Sequence, residues 1–337
     1  MPNKSINILA IESSCDETSA AVIQDGKVLS NRIATQLVHE RFGGVVPELA
    51  SRVHMQNIVP VVDAAIKDAG IDKHDFTAIA FTQSPGLIGS LLVGACFAKA
   101  YAQALDIPLI AVHHMQAHVL AHFIETKPEF PFLCLTVSGG HTQIVLCRDY
   151  LDMEVMGETI DDAAGEAFDK VAKMLGLPYP GGPIVDKRAQ KGNPLAFKFP
   201  MSEMKDYEFS FSGIKTSVLY FLQAQKKLNP SFIEQHMDDI CASLQHTIIN
   251  MLMAKLKKAA KTLNIKHIGI AGGVSANSGL RKALLEAGEQ HGWKVYIPKF
   301  EYCTDNAAMI GITGYYKYLK GQFADLSVSP SARATWQ

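Results

Sequence analysis

The sequence predicts an α/β protein in which two similar halves form two lobes. Segments typical of strands alternate with segments of helical periodicity, as in layered α/β folds. Each half opens with a strand, a turn of small residues and a second strand, at 6–29 and at 132–149. The 337 residues exceed the roughly 250–300 at which a single core stops growing. We expect two lobes and a tail, at 1–125, at 126–325 with a helical insert at about 184–265, and at 326–337.

The first half is expected to hold five strands and three helices. INILAIESS and TSAAVIQDGKVL predict strands, and Asp25-Gly26 predicts a tight turn into a third strand. A helix at 48–69 precedes the strand TAIAFTQ, and a loop then enters a buried helix within 84–105. The short strand LIAVHH leads into a helix at about 115–124.

The second half is expected to repeat the strand-turn-strand device and then to alternate helices with strands. Residues 184–235 show less regular patterning, and the tail from 321 carries no motif and is expected to be poorly ordered. The expected elements are strands within 132–149, a helix at 160–177, a Pro/Gly loop at 178–183, a helix at 236–264, a strand at 267–272, a helix within 272–292, a strand at 294–298 and a helix within 301–319.

Composition excludes several classes of protein. A net charge of −1 gives no global electrostatic attraction for nucleic acid, so any RNA contact needs a local basic patch or a partner. The six cysteines form no CxxC pair, which suits a reducing compartment and disfavours a zinc–cysteine site. The N-terminus does not resemble a secretory signal, and the longest apolar run, 87–98, is shorter than a membrane span. We expect a cytoplasmic protein.

Three glycine turns are candidates for binding an anion, because glycine lets backbone N–H groups approach a ligand closely. The chain has no Walker A loop and no GxGxxG motif, so each turn alone could simply be a turn. Nearby acids have equally ordinary alternatives, namely solvation for Asp169 and helix capping for Asp305. The turns are Val137-Ser138-Gly139-Gly140, Pro180-Gly181-Gly182 and Gly272-Gly273-Val274.

The stretch HHMQAH raises the question of a metal site. His114 and His118 are four residues apart and therefore share one helix face, which His122 extends. A zinc protease of the HExxH type needs a glutamate after its first histidine, and here Met115 follows His114. Ordinary helix surface remains one alternative. Two histidines with one carboxylate would instead suit a metal site with open positions, of the kind that non-haem iron uses.

Ten motifs, in collinear order over about residues 5–320, closely resemble the universal tRNA threonylcarbamoyltransferase family in its bacterial TsaD form, formerly labelled an O-sialoglycoprotein endopeptidase. The motifs are IESSCDETSAAV, GGVVPELASRVH, SPGLIGSLLVG, HHMQAH, VSGGHTQ, DDAAGEAFDK, YPGGP, FSFSGIKT, AGGVSANSGLR and CTDNAAM.

The resemblance implies an actin-like, sugar-kinase-like ATPase fold. It also implies transfer of a threonylcarbamoyl group from threonylcarbamoyl-AMP to the exocyclic amine of an adenosine. That adenosine lies just 3′ of the anticodon in tRNAs reading ANN codons. Expected partners are the donor, the tRNA, a paralogous inactive subunit and a small ATPase, with no membrane.

Site residues follow from the same resemblance. A single Fe(II) per subunit, with Zn or Mg as alternatives, would be held by His114, His118 and Asp305. The acyl adenylate would lie against Thr136, Val137, Ser138, Gly139 and Gly140. Its ribose and adenine would contact Asp169, Gly182, Asp186 and Asn277. Archaeal and eukaryotic relatives carry a metal-contacting tyrosine at the position of Thr136.

The proton acceptor and the overall activity have open alternatives. Glu12, beside the first turn, is the candidate base for the adenosine amine, and turn capping is its structural alternative. Asp16 and Glu17 are further candidates. A metal-dependent peptidase and a non-catalytic ATP-binding scaffold remain competing functions. Lysines on the 236–264 helix are candidate phosphate contacts or a solvated face.

Overall fold

The computed structural model describes residues 5–333, and it contains two five-stranded sheets with the same topology. The strands of the first sheet are β1 (Asn7–Glu12), β2 (Glu17–Gln24), β3 (Lys27–Thr35), β4 (Ala78–Ser84) and β5 (Leu109–His113). Those of the second are β6 (Phe132–Val137), β7 (Thr142–Asp149), β8 (Asp152–Glu158), β9 (His267–Ala271) and β10 (Lys294–Tyr296). The orders β3-β2-β1-β4-β5 and β8-β7-β6-β9-β10 match strand for strand. The predicted duplication is confirmed.

Each sheet joins an antiparallel hairpin to parallel strands. β1 pairs antiparallel with β2 and parallel with β4, and β6 pairs in the same way with β7 and β9. Asp25 and Gly26 both have positive φ, at 50° and 77°, and turn β2 into β3 as predicted. Parallel pairing aligns the carboxyl ends of β1, β4 and β5 along one sheet edge, and those of β6 and β9 along another.

Nine helices lie within the described residues. The Pro/Gly loop is shorter than predicted, because a helix begins inside it at Gly181, and the region expected to be irregular holds that helix and another. The helices are α1 (Pro47–Ala69), α2 (Ile88–Leu105), α3 (His114–Leu120), α4 (Ala164–Met174), α5 (Gly181–Ala189), α6 (Ser212–Leu228), α7 (Phe232–Leu263), α8 (Ser278–His291) and α9 (Ala307–Leu319).

The chain divides into two compact units. The first runs to Lys127 and takes in Asp149–Met153 and the segment from Pro298 onward, and the second holds Pro128–Arg148 and Glu154–Ile297. The expected boundary near 125 is close to this division, but the C-terminal segment differs. It joins the first unit because α9 packs against β1 and β2 there.

Alternating side chains of β1 explain how the first unit is built. Ile8 and Ala10 pack in one cluster with α9, whereas Leu9 and Ile11 pack in a second cluster on the face covered by α1 and α2. Because both faces are covered, the strand is apolar throughout its middle, as buried strands of α/β proteins are. Each buried leucine or isoleucine stabilises the unit by about 1.5–3 kcal/mol.

Two further segments of the first unit bear on the sequence predictions. By length and composition α2 could cross a membrane; 33% of its residues are buried, and it packs against α1 and β4. The sequence predicts a poorly ordered tail from residue 321, but the structure gives this segment a defined backbone as far as residue 333. Ala324 pairs with Leu109, and the N–H of Ser331 donates to the carbonyl of Gln83. Residues 334–337 of the predicted tail lie outside the described residues.

Candidate functional site

The three histidines of HHMQAH lie where β5 ends and α3 begins. β5 ends at His113 and α3 starts at His114, so His114 and His118 fall one turn apart on the same helix face. Both side chains are buried, and their rings pack edge to face with centroids 4.6 Å apart. They are therefore not ordinary helix surface. His122 lies in the following 3-10 turn.

Asp305 reaches the same point from the loop that precedes α9. Its Oδ1 lies 3.1 Å from His118 Nε2 and 3.4 Å from His114 Nε2. The structural alternative for Asp305, capping of α9, does not apply, because Asn306 is the N-cap and accepts a hydrogen bond from the N–H of Met309. The Asp305 carboxylate is thus available to face the histidines.

These three side chains fit a small cation. One ligand atom from each lies within 4.8 Å of the other two, and both imidazoles direct Nε2 at the carboxylate. Two nitrogens and one oxygen form a donor set that leaves further coordination positions open. Within residues 5–333, Nδ1 of His118 is buried without a hydrogen-bond partner.

The electrostatics of the cluster lead to the same conclusion. Burial raises the pKa of Asp305, but the charge of His114 and hydrogen bonds from both histidines outweigh it and lower that pKa. Burial lowers the pKa of His114, yet the charges of Asp305 and Glu12 raise it well above its usual value. Burial leaves the pKa of His118 lowered. The cluster thus favours one positive charge, which a bound cation would supply in place of the His114 proton.

Glu12, at the end of β1, supports His114 from the other side. Its Oε2 lies 3.2 Å from His114 Nδ1 and accepts a hydrogen bond from the Thr82 hydroxyl, while Oε1 accepts the N–H of Ser14 at 2.5 Å. Glu12 has no exposed surface. This position suits a residue that orients His114, and accepting a proton from a substrate would require the carboxylate to break these bonds first.

Two other residues of the first loop have strongly shifted pKa values. Burial, together with the Asp16 charge, raises the pKa of the Cys15 thiol well above its usual value, which disfavours a nucleophilic cysteine. Burial, with the charges of Asp305 and Asp16, raises the pKa of Glu17 to about 10. The neighbouring carboxylates of Asp16 and Asp305 thus favour the protonated form of Glu17.

In the second unit, two glycine turns follow the carboxyl ends of β6 and β9. We call these turns, Ser138–Gly140 and Gly272–Gly273, the glycine cradle. A Cβ added to Gly139, Gly140 or Gly273 would meet no heavy atom within 4 Å, so their backbone faces open space. Gly272 has φ +83°, and a Cβ there would lie 2.5 Å from the carbonyl of Val137. Only glycine fits this close approach of the two turns.

The remaining predicted substrate contacts lie in the same unit and form hydrogen bonds with protein groups. Thr136 and Val137 are fully buried in β6. The Asp169 carboxylate accepts the N–H groups of Gly181 and Gly182 and so holds the start of α5, although the sequence suggested solvation.

Asp186 and Asn277 tie α5 to the start of α8. Asp186 accepts the N–H and O–H of Ser278 at 3.1 and 2.7 Å. Asn277 caps α8 through the N–H of Leu280, and its amide donates to Gln245. These bonds join α5 to the start of α8, close to the turn that follows β9.

The sequence did not reveal two residues that support the cluster of His114, His118 and Asp305. The Ser14 hydroxyl lies 3.3 Å from His114 Nδ1, and Thr82 comes from β4. IESSCDE flags Ser14 only as part of a turn, and nothing in TAIAFTQ distinguishes Thr82 from other strand residues. Both contacts depend on the pairing of β1 with β4.

We predict that Gly140→Val impairs nucleotide binding without destabilising the fold. A Cβ added at this position meets no heavy atom within 4 Å, so the free energy of unfolding should change by less than about 0.5 kcal/mol. The same side chain would block close approach of an adenylate to the backbone N–H groups, and AMP affinity should fall by about tenfold or more. Urea unfolding and calorimetric titration with AMP measure the two effects.

Gly213→Val in α6 is the matched control for Gly140→Val, since a Cβ there also meets no heavy atom within 4 Å. Its AMP affinity should equal that of the unmodified chain. Unchanged AMP binding by Gly140→Val would exclude the cradle as the adenylate site.

Solved structures share this fold at low sequence identity. HypF from T. kodakarensis aligns over 95% of this chain and 49% of its own, with a TM-score of 0.66 and 14% identity. Component A of (R)-2-hydroxyglutaryl-CoA dehydratase from Acidaminococcus fermentans aligns over 93% of this chain and 99% of its own, with a TM-score of 0.54 and 14% identity. At such identity these likenesses show the fold alone, and they support the predicted actin-like, sugar-kinase-like class.

Sequence relatives are much closer. The family model described as TsaD, tRNA N6-adenosine threonylcarbamoyltransferase, matches residues 27–312. A protein of that description from Christiangramia forsetii is 64% identical over 337 residues, covering 99% of both chains. Another from Cytophaga hutchinsonii is 60% identical over 330 residues, covering 98% of this chain and 96% of its own. The chain therefore belongs to the tRNA N6-adenosine threonylcarbamoyltransferase family.

Proposed function

We propose that the chain transfers a threonylcarbamoyl group from threonylcarbamoyl-AMP to the exocyclic amine of adenosine, just 3′ of the anticodon in tRNAs that read ANN codons. Relatives named tRNA N6-adenosine threonylcarbamoyltransferase are 64% and 60% identical to this chain over nearly its full length, and this similarity supports the substrate and the reaction. The convergence of His114, His118 and Asp305 on one point is the observation that carries the chemistry.

His114, His118 and Asp305 would hold a single Fe(II), with zinc or magnesium as alternatives. Imidazole nitrogens suit iron and zinc better than magnesium, which prefers oxygen ligands, so the donor set favours the first two. When bound, the cation supplies Lewis-acid chemistry that polarises a donor oxygen and offsets charge as AMP leaves.

The chain's own residues contribute orientation more than covalent chemistry. Glu12 and Ser14 hold Nδ1 of His114, which fixes the ring so that Nε2 faces Asp305. The open backbone of the glycine cradle offers N–H groups to the donor's phosphate. Because the lone pair of the adenosine amine is delocalised, the amine is a weak nucleophile, and holding it against the carbonyl accounts for much of the expected rate gain.

The competing functions lack comparable support. A peptidase of the HExxH type needs a glutamate beside its first zinc-binding histidine, and the residue after His114 is the buried Met115. A non-catalytic scaffold would not need a buried cluster of two histidines and a carboxylate. Neither alternative matches the activity for which the relatives are named.

Partners and location are part of the proposal. The outward face of α1 exposes Met55 and Val59 at 68% and 61%. Such a patch favours a protein partner, and we assign it to the paralogous inactive subunit, with the small ATPase completing the assembly. We place the reaction in the cytoplasm, without a membrane, because the substrate is tRNA.

The proposed function predicts a tRNA-dependent reaction. The full chain with both partners, threonylcarbamoyl-AMP and unmodified tRNA should yield threonylcarbamoyl-adenosine, detected by nucleoside mass spectrometry, and release one AMP per modified residue. A tRNA with guanosine 3′ of the anticodon is the control and should remain unmodified. Donor breakdown that is independent of tRNA would contradict the proposal, and chelator-sensitive cleavage of a glycoprotein would favour the peptidase.

We predict that Glu12→Gln weakens metal binding while the chain stays folded. Loss of the carboxylate charge beside His114 should lower Fe(II) affinity about 10–100-fold, and excess Fe(II) should restore transfer. Anaerobic titration followed by metal analysis measures the affinity. His118→Ala should lose the metal, and His74→Ala, an exposed histidine outside the cluster, should retain it.

This comparison separates the two roles considered for Glu12. Weaker metal binding with rescue by Fe(II) identifies a positioning residue. Full metal content with loss of transfer would instead identify the carboxylate as the proton acceptor. Stoichiometric metal in His118→Ala would exclude the ligand assignment.

A further inference from the structure

A basic cavity lies in the second unit, where α7 ends and the chain enters β9. Its volume is about 520 Å³. Three of its lysines, Lys257, Lys258 and Lys261, come from the last two turns of α7, and Lys266 comes from the connection to β9. His291, the last residue of α8, and Trp293, just before β10, complete its wall, and the centroids of their tilted rings are 5.1 Å apart.

Within the part of the chain that the structure describes, the lysines of this cavity form no ion pair with the protein, although the Lys258 ammonium donates to the carbonyl of Asp206 at 3.2 Å and lies 5.6 Å from the centre of the Tyr207 ring. Throughout residues 5–333, no carboxylate lies within 4.0 Å of any of the four ammonium groups, and the cavity lining contains no acidic residue. Lys170 and Lys294 of the same unit, by contrast, pair with Asp162 and Glu129. Because the whole chain has a net charge of −1, this concentration of positive charge is a local feature.

Stabilisation of the helix end explains only part of the cluster. A cation near a helix C-terminus interacts favourably with the helix dipole, but the effect fades beyond the last turn. Lys261 lies in that turn of α7, whereas Lys257 lies a turn earlier and Lys266 lies past the helix. Convergence of cations from separate elements on one concave surface points to an anionic ligand.

The direction of the strands shows how far the cavity lies from the glycine cradle, and therefore how long a ligand must be to reach both. Lys266 and Trp293 precede β9 and β10, so the cavity lies at the amino-terminal edge of these parallel strands. The glycine cradle instead follows the carboxyl ends of β6 and β9, which are also parallel. The five residues of β9 at about 3.3 Å each separate the two edges by about 17 Å. A nucleotide in the cradle cannot reach the basic cavity, but a polynucleotide can extend to it.

We propose that this cavity docks the phosphate backbone of the tRNA substrate, at a point remote from the adenosine that is modified. The inference rests on the proposed function, which makes an RNA the obligatory acceptor. Nucleic-acid backbones carry closely spaced charges that unpaired lysines neutralise with release of counterions. The half-buried Trp293 adds an aromatic wall, a feature that polynucleotide sites often combine with basic residues.

The test compares two triple variants of equal charge change. Lys257→Gln/Lys261→Gln/Lys266→Gln removes cavity cations, and Lys198→Gln/Lys226→Gln/Lys227→Gln removes three exposed lysines of the same unit outside the cavity. The cavity variant should bind tRNA about tenfold or more weakly. Its plot of log affinity against log salt should be less steep by about 2–3, since each lost phosphate contact removes about 0.9 from a duplex slope. Fluorescence anisotropy across a NaCl series measures both.

Steady-state kinetics with the partners present give the second readout. The cavity variant should raise the KM for tRNA and leave kcat at saturating tRNA unchanged, while the control triple matches the unmodified chain. Tighter tRNA binding by the control than by the cavity variant supports the inference. Equal affinities and salt slopes for the two triples would overturn it, as would loss of partner binding by the cavity variant with tRNA affinity unchanged.

Two checks keep the outcomes separate. Thermal melting verifies that the cavity variant folds, and the single variant Lys261→Gln, expected to flatten the salt slope by about 1, replaces the triple if it does not. Absence of transfer by the unmodified chain would contradict the proposed function. Normal transfer by both triples at limiting tRNA would contradict only the docking site.

Discussion

A single carboxylate oxygen, Oδ1 of Asp305, holds the chemical centre of the first unit together. It faces Nε2 of His114 and of His118 from a loop 187 residues further along the chain than His118. The Asp305 side chain is 20% exposed, and withdrawing most of a carboxylate from water costs free energy unless a positive charge compensates. Here that charge is either the proton of His114 or a bound cation. The packing of α9 against β1 and the capping of that helix by Asn306 both place this carboxylate. The need to compensate a buried charge therefore connects the fold with the chemistry.

The duplicated topology gives each sheet a comparable edge, and the two edges carry different chemistry. In the first sheet, Glu12 ends β1 and His114 follows β5, so the carboxyl ends of the strands present charged groups. In the second sheet, the corresponding ends of β6 and β9 continue into the glycine cradle, which presents bare backbone. Binding beyond the carboxyl ends of parallel strands is the general rule for open α/β sheets. The groups at the first edge suit a cation, and the bare backbone at the second edge suits an anion.

Local patterns made much of the fold and part of the site predictable. The alternation in β1 and the Asp25-Gly26 turn follow from period and turn chemistry, and the His114–His118 spacing singled out the histidines. Contacts between residues far apart in the sequence could not be predicted from local patterns. No local pattern in CTDNAAM distinguishes Asp305 as a ligand from Asp305 as a cap, and only the fold shows that Asn306 is the cap. Likewise Glu12 could be named from its position beside the first turn, but its burial behind His114 depends on how β1, β4 and α3 pack together.

The central claim is that one cation is held by these three side chains. A crystal structure of the iron-loaded chain, with a non-hydrolysable threonylcarbamoyl-adenylate analogue and anomalous data at the iron edge, tests it most directly. The account predicts one anomalous peak at about 2.0–2.2 Å from Nε2 of His114, Nε2 of His118 and a carboxylate oxygen of Asp305. A peak bound by other residues, or analogue and iron present with these three side chains uncoordinated, would contradict it.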